Sequence, residues 1–262
     1  MDFKFLIALQ FWEQDLPQAQ ALCEFLAEIE PKKSTFADII LVRRFDSPSV
    51  ADATVRNLMR KFHVWTYTSP KREVGWPNGC NGLWFATMEW AYSMMGAKKA
   101  PHYKAIFTCE ADGGPIVGNW VERLSKEWDR VNNPEPVCIA GPLVTIPGEH
   151  INGNAMVSGD LENLRWITRE LSGGLSGGWD WVLAPRFKQR GWANIPGIRS
   201  WYASQYFTQE QYAQMILDDL IWMHGDKSGC LRDWGRSPII GVRAPEDLRR
   251  GYAETLVKAQ NE

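Results

Sequence analysis

The chain has 262 residues, of which 45% are apolar and 23% charged, with a net charge of −2 and a pI near 6.1. That balance is ordinary for a globular chain and shows no basic excess of the kind that marks a nucleic-acid or membrane surface. The five scattered cysteines form no CxxC pair, which argues against a disulfide framework or a cysteine zinc site and for a reducing compartment, with a cytoplasmic location expected.

The N-terminal run "MDFKFLIALQFWEQDL" is too short to span a membrane, and acids follow it. It reads as a first strand over 3–9. Apolar residues at helical spacing predict a helix over 16–29. "ADIILV" (37–42) is a second strand, 49–62 a second helix and "VWTYT" (64–68) a third strand. A Pro/Gly-rich loop covers 70–82, and a third helix covers 83–95. "YKAIFT" (103–108) is the fourth strand, 118–131 a helix and "VCIAG" (137–141) a fifth strand. Short, continuously apolar strands alternating with helices predict an α/β fold with a mostly parallel sheet and helices on both faces.

The second half is less regular. "SGGLSGGWDW" (172–181) is a glycine-rich loop opening a short helix. A helix is predicted over 208–223, with Tyr212, Ile216, Leu220 and Met223 on one face, and a terminal helix over 244–260. No clear linker divides the chain, so a single domain over 1–262 is expected. Its regular half is 1–145 and its irregular half 146–262.

Chemistry concentrates where strands end, because ligands of such sheets bind beyond the carboxyl ends of the strands. Glu110 and Asp112 lie at such an end, followed at once by two glycines and a proline. Two carboxylates there suit a hard divalent cation, Mn²⁺ or Mg²⁺, although solvated loop acids are the plainer reading. The glycines would let a ligand approach the backbone. Asp180 follows a Gly-Gly pair and precedes Arg186, Arg190 and Gly191; on the residues alone it is also a helix N-cap. Fourteen tryptophans predict a Trp-rich core, or indoles lining a sugar pocket.

The order of these motifs resembles the GT-A glycosyltransferases. Residues 177–192 resemble the "GGED…R…RG" segment of the inverting β-1,4-galactosyltransferase family, with Trp179 in place of the first acid. The resemblance implies a DXD-type motif at Glu110-Ala111-Asp112, with Asp112 on the metal and Glu110 near the ribose or a metal-bound water. It implies Asp180 as catalytic base and His224, in "WMHGDK", as a further metal ligand. Lys227 would meet the diphosphate. Asn152 and Asn154, in an "NGNA" stretch, would bond sugar hydroxyls. Arg72 would contact the diphosphate, Asn81 the nucleotide, and Asp46 the base or ribose. His63 and His102 read as structural, and His150 has no assigned role.

The implied partners are a nucleotide-sugar donor, most simply a UDP-sugar, and a hydroxyl-bearing acceptor: a surface glycan, or a modified base in phage DNA. Three other functions fit the same residues: a retaining GT-A transferase, a nucleotidyltransferase, and a sugar-nucleotide-binding module without turnover.

Overall fold

A computed structural model describes residues 4–145, 148–200 and 206–260; residue 3, at the start of the first predicted strand, lies outside them. The first half alternates as expected: β1 (Lys4–Phe11), α1 (Leu16–Ile29), β2 (Ala37–Arg44), α2 (Asp52–Met59), β3 (His63–Ser69), α3 (Asn78–Gly96) and β4 (Tyr103–Glu110). A short β5 (Gly113–Pro115) follows, then α4 (Trp120–Val131) and β6 (Ile139–Gly141). Next come the small β7 (Leu143–Val144) and β8 (His150–Ile151), then β9 (Met156–Ser158), α5 (Leu161–Ser172), α6 (Trp179–Val182) and α7 (Ala184–Arg190). The remainder is β10 (Trp192–Asn194), β11 (Ile198–Ser200), α8 (Gln209–Leu217), β12 (Trp222–His224), α9 (Cys230–Arg236) and α10 (Glu246–Gln260).

The main sheet runs β10-β6-β9-β4-β1-β2-β3, so strands from before and after residue 145 share it. All its pairs are parallel except those of β9, which is antiparallel to both β4 and β6. β1 shows why its strands are almost wholly apolar. Phe5, Ile7, Leu9 and Phe11 pack on one side with α1 and α4, while Leu6 and Ala8 pack on the other with α3 and α5. Both faces are therefore dry, and no alternation of polar residues survives. A second sheet, β11-β12-β5, sits over a smaller core of α8 and α10 residues around Ile116 and Met223.

Several elements differ from the sequence expectation, three helices among them. α3 begins at Asn78, inside the predicted loop, because Pro77 caps the helix rather than interrupting it. α8 ends at Leu217, not 223. Asp219 takes a left-handed φ of 56°, Leu220 N–H bonds Met215 O, and Asp219 N–H bonds Ile216 O, which is the six-to-one, five-to-two closure that stops a helix. The released segment becomes β12. α5 was not expected, although Asp160 caps it through the N–H groups of Glu162 and Asn163, and Leu164, Ile167 and Leu171 form its buried stripe. No helix among the described residues is long and apolar enough to cross a membrane.

Candidate active site

β4 carries Glu110 to its carboxyl end, and the chain turns through Ala111 and Asp112 into β5. β5 pairs antiparallel with β12, placing His224 opposite Gly113. Glu110, Asp112 and His224 thereby converge, with ligand atoms all within 4.8 Å of one another. His224 Nε2 lies 2.8 Å from Glu110 Oε2 and 3.0 Å from Asp112 Oδ1. Asp112 is only 2% exposed, and neither of its oxygens has a hydrogen-bond partner of good geometry among the described residues. Buried oxygens left this way are costly unless a cation meets them. Two carboxylates and one imidazole form a suitable donor set for Mn²⁺ or a similar divalent ion, so these residues fit a metal.

Without a metal, protein charges balance the acids. Burial disfavours the imidazolium of His224, but Glu110 and Asp112 outweigh it and push the group up to about 10. Burial also opposes the charged form of Asp112, yet His224 and Lys227 hold its carboxyl well below the usual range. Lys227 Nζ is ion-paired with Asp112 Oδ2. The loop after β12 grips the acids from behind: Asp226 N–H donates to Asp112 O (2.8 Å) and Arg232 Nη1 donates to Ala111 O (3.3 Å). Asp226, itself fully buried, folds this loop by accepting from Ser228 Oγ and from the Gly229 and Leu231 N–H groups.

Of the two glycines after the acids, Gly113 serves packing. A Cβ on Gly113 would stand 2.7 Å from Trp222 Nε1, while Gly114 has nothing within 4 Å of that position. Both are buried, so the expected ligand approach at Gly113 is replaced by an indole.

Asp180 is the second residue of α6, whose N-cap is Gly178; its Oδ1 accepts from the adjacent Trp181 N–H at 3.1 Å and does not cap the helix, so the N-cap reading does not hold. Asn81 holds this arm in place. Its Nδ2 donates to Gly177 O (2.8 Å), and its Oδ1 accepts from Trp179 N–H (2.9 Å). The Gly-Gly pair is again a matter of room: a Cβ at Gly177 would enter the Trp181 ring, and one at Gly178 would lie 2.7 Å from Asp180 Oδ1. Trp179, where the galactosyltransferase pattern has an acid, is buried and stacks on Trp84 with centroids 3.7 Å apart. His150 stands behind Asp180, its Nε2 3.9 Å from Asp180 Oδ2 and its Nδ1 2.6 Å from Gly148 O. Burial raises the Asp180 carboxyl above its usual value, and His150 partly offsets this.

Two cavities meet at the triad. The smaller, about 250 Å³, is walled by Gln10, Trp12, Asp15, Arg44, Asp112 and Lys227 among others. The larger, about 880 Å³, is walled by His150, Asn152, Asp180, Trp181, Ser200 and His224 among others. Asn81 and Asn152 reach the larger cavity, but Asn81 spends its amide on the Asp180 arm. Asn152 Oδ1 accepts from Ser200 Oγ at 2.8 Å. Asn154 is 0% exposed, so it meets no sugar; its Oδ1 accepts from Glu110 N–H at 3.3 Å and helps fix the strand end. Asp46 and Arg72 lie outside both walls. Asp46 forms a two-pronged ion pair with Arg44 (2.5 and 2.8 Å), and Arg72 sits over the Phe45 ring. Arg44, pinned by Asp46 and lying 5.2 Å from the Trp12 ring centroid, is the cationic wall residue that the sequence reading missed. Its position at the end of β2 was the available signal.

No family model matches the sequence, and no curated protein matches it. Solved structures match its fold. GlyE, a glycosyltransferase of Streptococcus pneumoniae TIGR4, aligns with a TM-score of 0.51 at 11% identity, over 99% of this chain and 63% of its own. Mouse xyloside xylosyltransferase 1 aligns at 0.50 and 12% identity, over 86% of this chain and 98% of its own. The bifunctional glycosyltransferase WbbM aligns at 0.50 and 9% identity, over 86% of this chain but only 46% of its own. At such identities the likeness is one of architecture, and the chain has the GT-A fold.

Proposed function

We propose that this chain is a metal-dependent glycosyltransferase that moves a sugar from a nucleotide diphosphate, most simply UDP, to an acceptor hydroxyl with inversion. The observation that carries this reading is the Glu110–Asp112–His224 cluster, set where the two cavities meet, with the oxygens of Asp112 buried and balanced only by His224 and Lys227. The GT-A architecture of the chain supports it. A divalent cation held by these three residues would supply Lewis acidity toward the leaving diphosphate.

The rest of the chemistry falls to the chain itself. The smaller cavity takes the nucleotide, with Arg44 and Lys227 as positive wall groups. The larger cavity takes the acceptor beside Asp180. The carboxylate of Asp180 accepts the proton of the acceptor hydroxyl as that oxygen bonds the anomeric carbon. The bond from that carbon to the diphosphate oxygen breaks, and the nucleotide leaves. Neither carboxylate oxygen of Asp180 forms a covalent bond, so attack from the face opposite the leaving group inverts the centre.

The test is a thermal-shift panel of nucleotide-sugars with and without Mn²⁺, followed by product analysis. A donor that raises the melting temperature only with Mn²⁺, and then yields free UDP and a product of inverted anomer, supports the reading. Retained configuration would make Asp180 a donor ligand instead. Released pyrophosphate would mark a nucleotidyltransferase, and binding without transfer or hydrolysis a module without turnover.

A further inference from the structure

Three residues belong to the walls of both cavities: Trp76, Cys80 and Glu110. They mark the passage from one cavity to the other. Glu110 forms its floor at the end of β4. Trp76 stands in the loop before α3 with 76% of its surface exposed, the most exposed of the large apolar side chains described.

The loop is built to hold that indole out. Gly75 takes a left-handed φ of 69°, a conformation that L side chains rarely adopt. Gly79 N–H donates to Gly75 O at 2.6 Å, and Asn81 N–H to Pro77 O at 2.9 Å, tying both sides of the loop to the first turn of α3. A tryptophan left in water on a tethered loop gains stability from any apolar surface laid on it. Four tryptophans of the core show the contrast, since Trp84, Trp120, Trp128 and Trp222 are fully buried, while Trp181, at 40% exposed, touches only the larger cavity.

We infer that Trp76 is the platform for the transferred sugar, its indole packing on the apolar C–H face of the ring while the ring spans the passage opposite Glu110. The inference rests on the function proposed above, which places the nucleotide in one cavity and the acceptor in the other. The group that joins them must then occupy the passage, and that group is the sugar. An indole face suits it, because a pyranose presents C–H bonds on one face and directs its hydroxyls outward. A nucleobase would instead lie in the part of the smaller cavity that the larger does not share, beside Trp12 and Arg44.

The experiment compares UDP with UDP-glucose, UDP-galactose and UDP-N-acetylglucosamine, by calorimetry in Mn²⁺, for the wild type and for Trp76→Ala and Trp76→Phe. The wild type is expected to bind at least one UDP-hexose more tightly than UDP. Trp76→Ala should weaken that hexose complex about tenfold and leave UDP within twofold, and Trp76→Phe should recover much of the loss. The melting temperature of the free variants should not change, since the side chain is exposed. An equal loss for UDP and the UDP-hexose would place Trp76 on the nucleotide and overturn the inference, while leaving the proposed function intact. Unchanged affinity for both would also overturn it. A wild type that binds no probe, with or without Mn²⁺, would remove the proposed function and the platform together.

Discussion

His224 stands directly across an antiparallel strand pair from Gly113, the residue that follows Asp112. The third arm of the cluster is therefore positioned by the same short turn that positions the second. Side-chain bulk at Gly113 would be felt at Asp112 and His224 without touching either side chain.

Gly113→Ala should push Trp222 away, because the new Cβ would fall 2.7 Å from its Nε1. Overpacking of this kind costs about 1–3 kcal/mol, and the displaced β12 should also lower Mn²⁺ affinity. Gly114→Ala is the matched control, with nothing within 4 Å of its Cβ. Thermal melts and Mn²⁺ titration on both variants check this; equal effects at the two glycines would show that the indole contact does not set the position of His224.

Lys227 is ion-paired with Asp112, so it would compete with a metal for Asp112, and the diphosphate would compete with Asp112 for Lys227. Lys227→Gln should thus move two affinities in opposite directions. Mn²⁺ alone should bind more tightly, because an ammonium no longer pairs with the carboxylate. UDP in saturating Mn²⁺ should bind about tenfold more weakly, as expected for one lost charged hydrogen bond. Calorimetry of each ligand separates the two, and losses in both would make Lys227 a structural support instead.

Arg232 is a buried guanidinium that holds the Ala111 carbonyl, away from any cavity wall described above. Arg232→Met keeps much of the volume and removes the donor. Partners behind metal ligands are typically worth 10- to 100-fold in metal affinity, and a loss of about tenfold is expected here. Arg232→Lys should restore part of it. Metal affinity left unchanged beside a lowered melting temperature would limit Arg232 to stability.

Asp180→Asn keeps the shape of the side chain but removes the proton acceptor. Transfer should fall by roughly 10² to 10⁴, while donor affinity changes little. The pH dependence has a definite sign. Burial raises the Asp180 pKa, and the base works only when ionised. Activity should therefore be present above the raised pKa and disappear as pH falls through it, at a pH higher than an ordinary carboxylate would give. The same shift means that ionised Asp180 destabilises the fold at neutral pH. Asp180→Asn should then melt higher at pH 7, and the difference should shrink as pH falls toward the usual carboxylate range. A variant that transfers at the wild-type rate would leave Asp180 without a role in transfer.

The fold was legible wherever strands are covered on both faces. β1, β2 and β4 appear as unbroken apolar runs because alternate residues enter two separate cores. β9 and β12 were not legible. Each is three residues long, and β9 takes its direction from partners distant in sequence. Spacing and family resemblance picked out Glu110, Asp112, Asp180 and His224, and the structure brings Glu110, Asp112 and His224 into one cluster. Arg232 could not be found that way, because its job is a hydrogen bond to a main-chain carbonyl 121 residues away. Trp76 was hidden among fourteen tryptophans, and only exposure separates it from those in the core.

The pairing of β5 with β12 also sets an order of events during synthesis. The strands up to β4 can assemble while the ribosome is still working, since chains generally fold from the N-terminus as they emerge. Gly113–Pro115 then waits as an open edge, and Glu110 and Asp112 face each other with no compensating charge until Trp222–Lys227 arrives. A growing chain thus acquires its architecture well before His224 and Lys227 join Glu110 and Asp112. Interrupted copies that lack the last fifth of the sequence would carry the two acids without either partner.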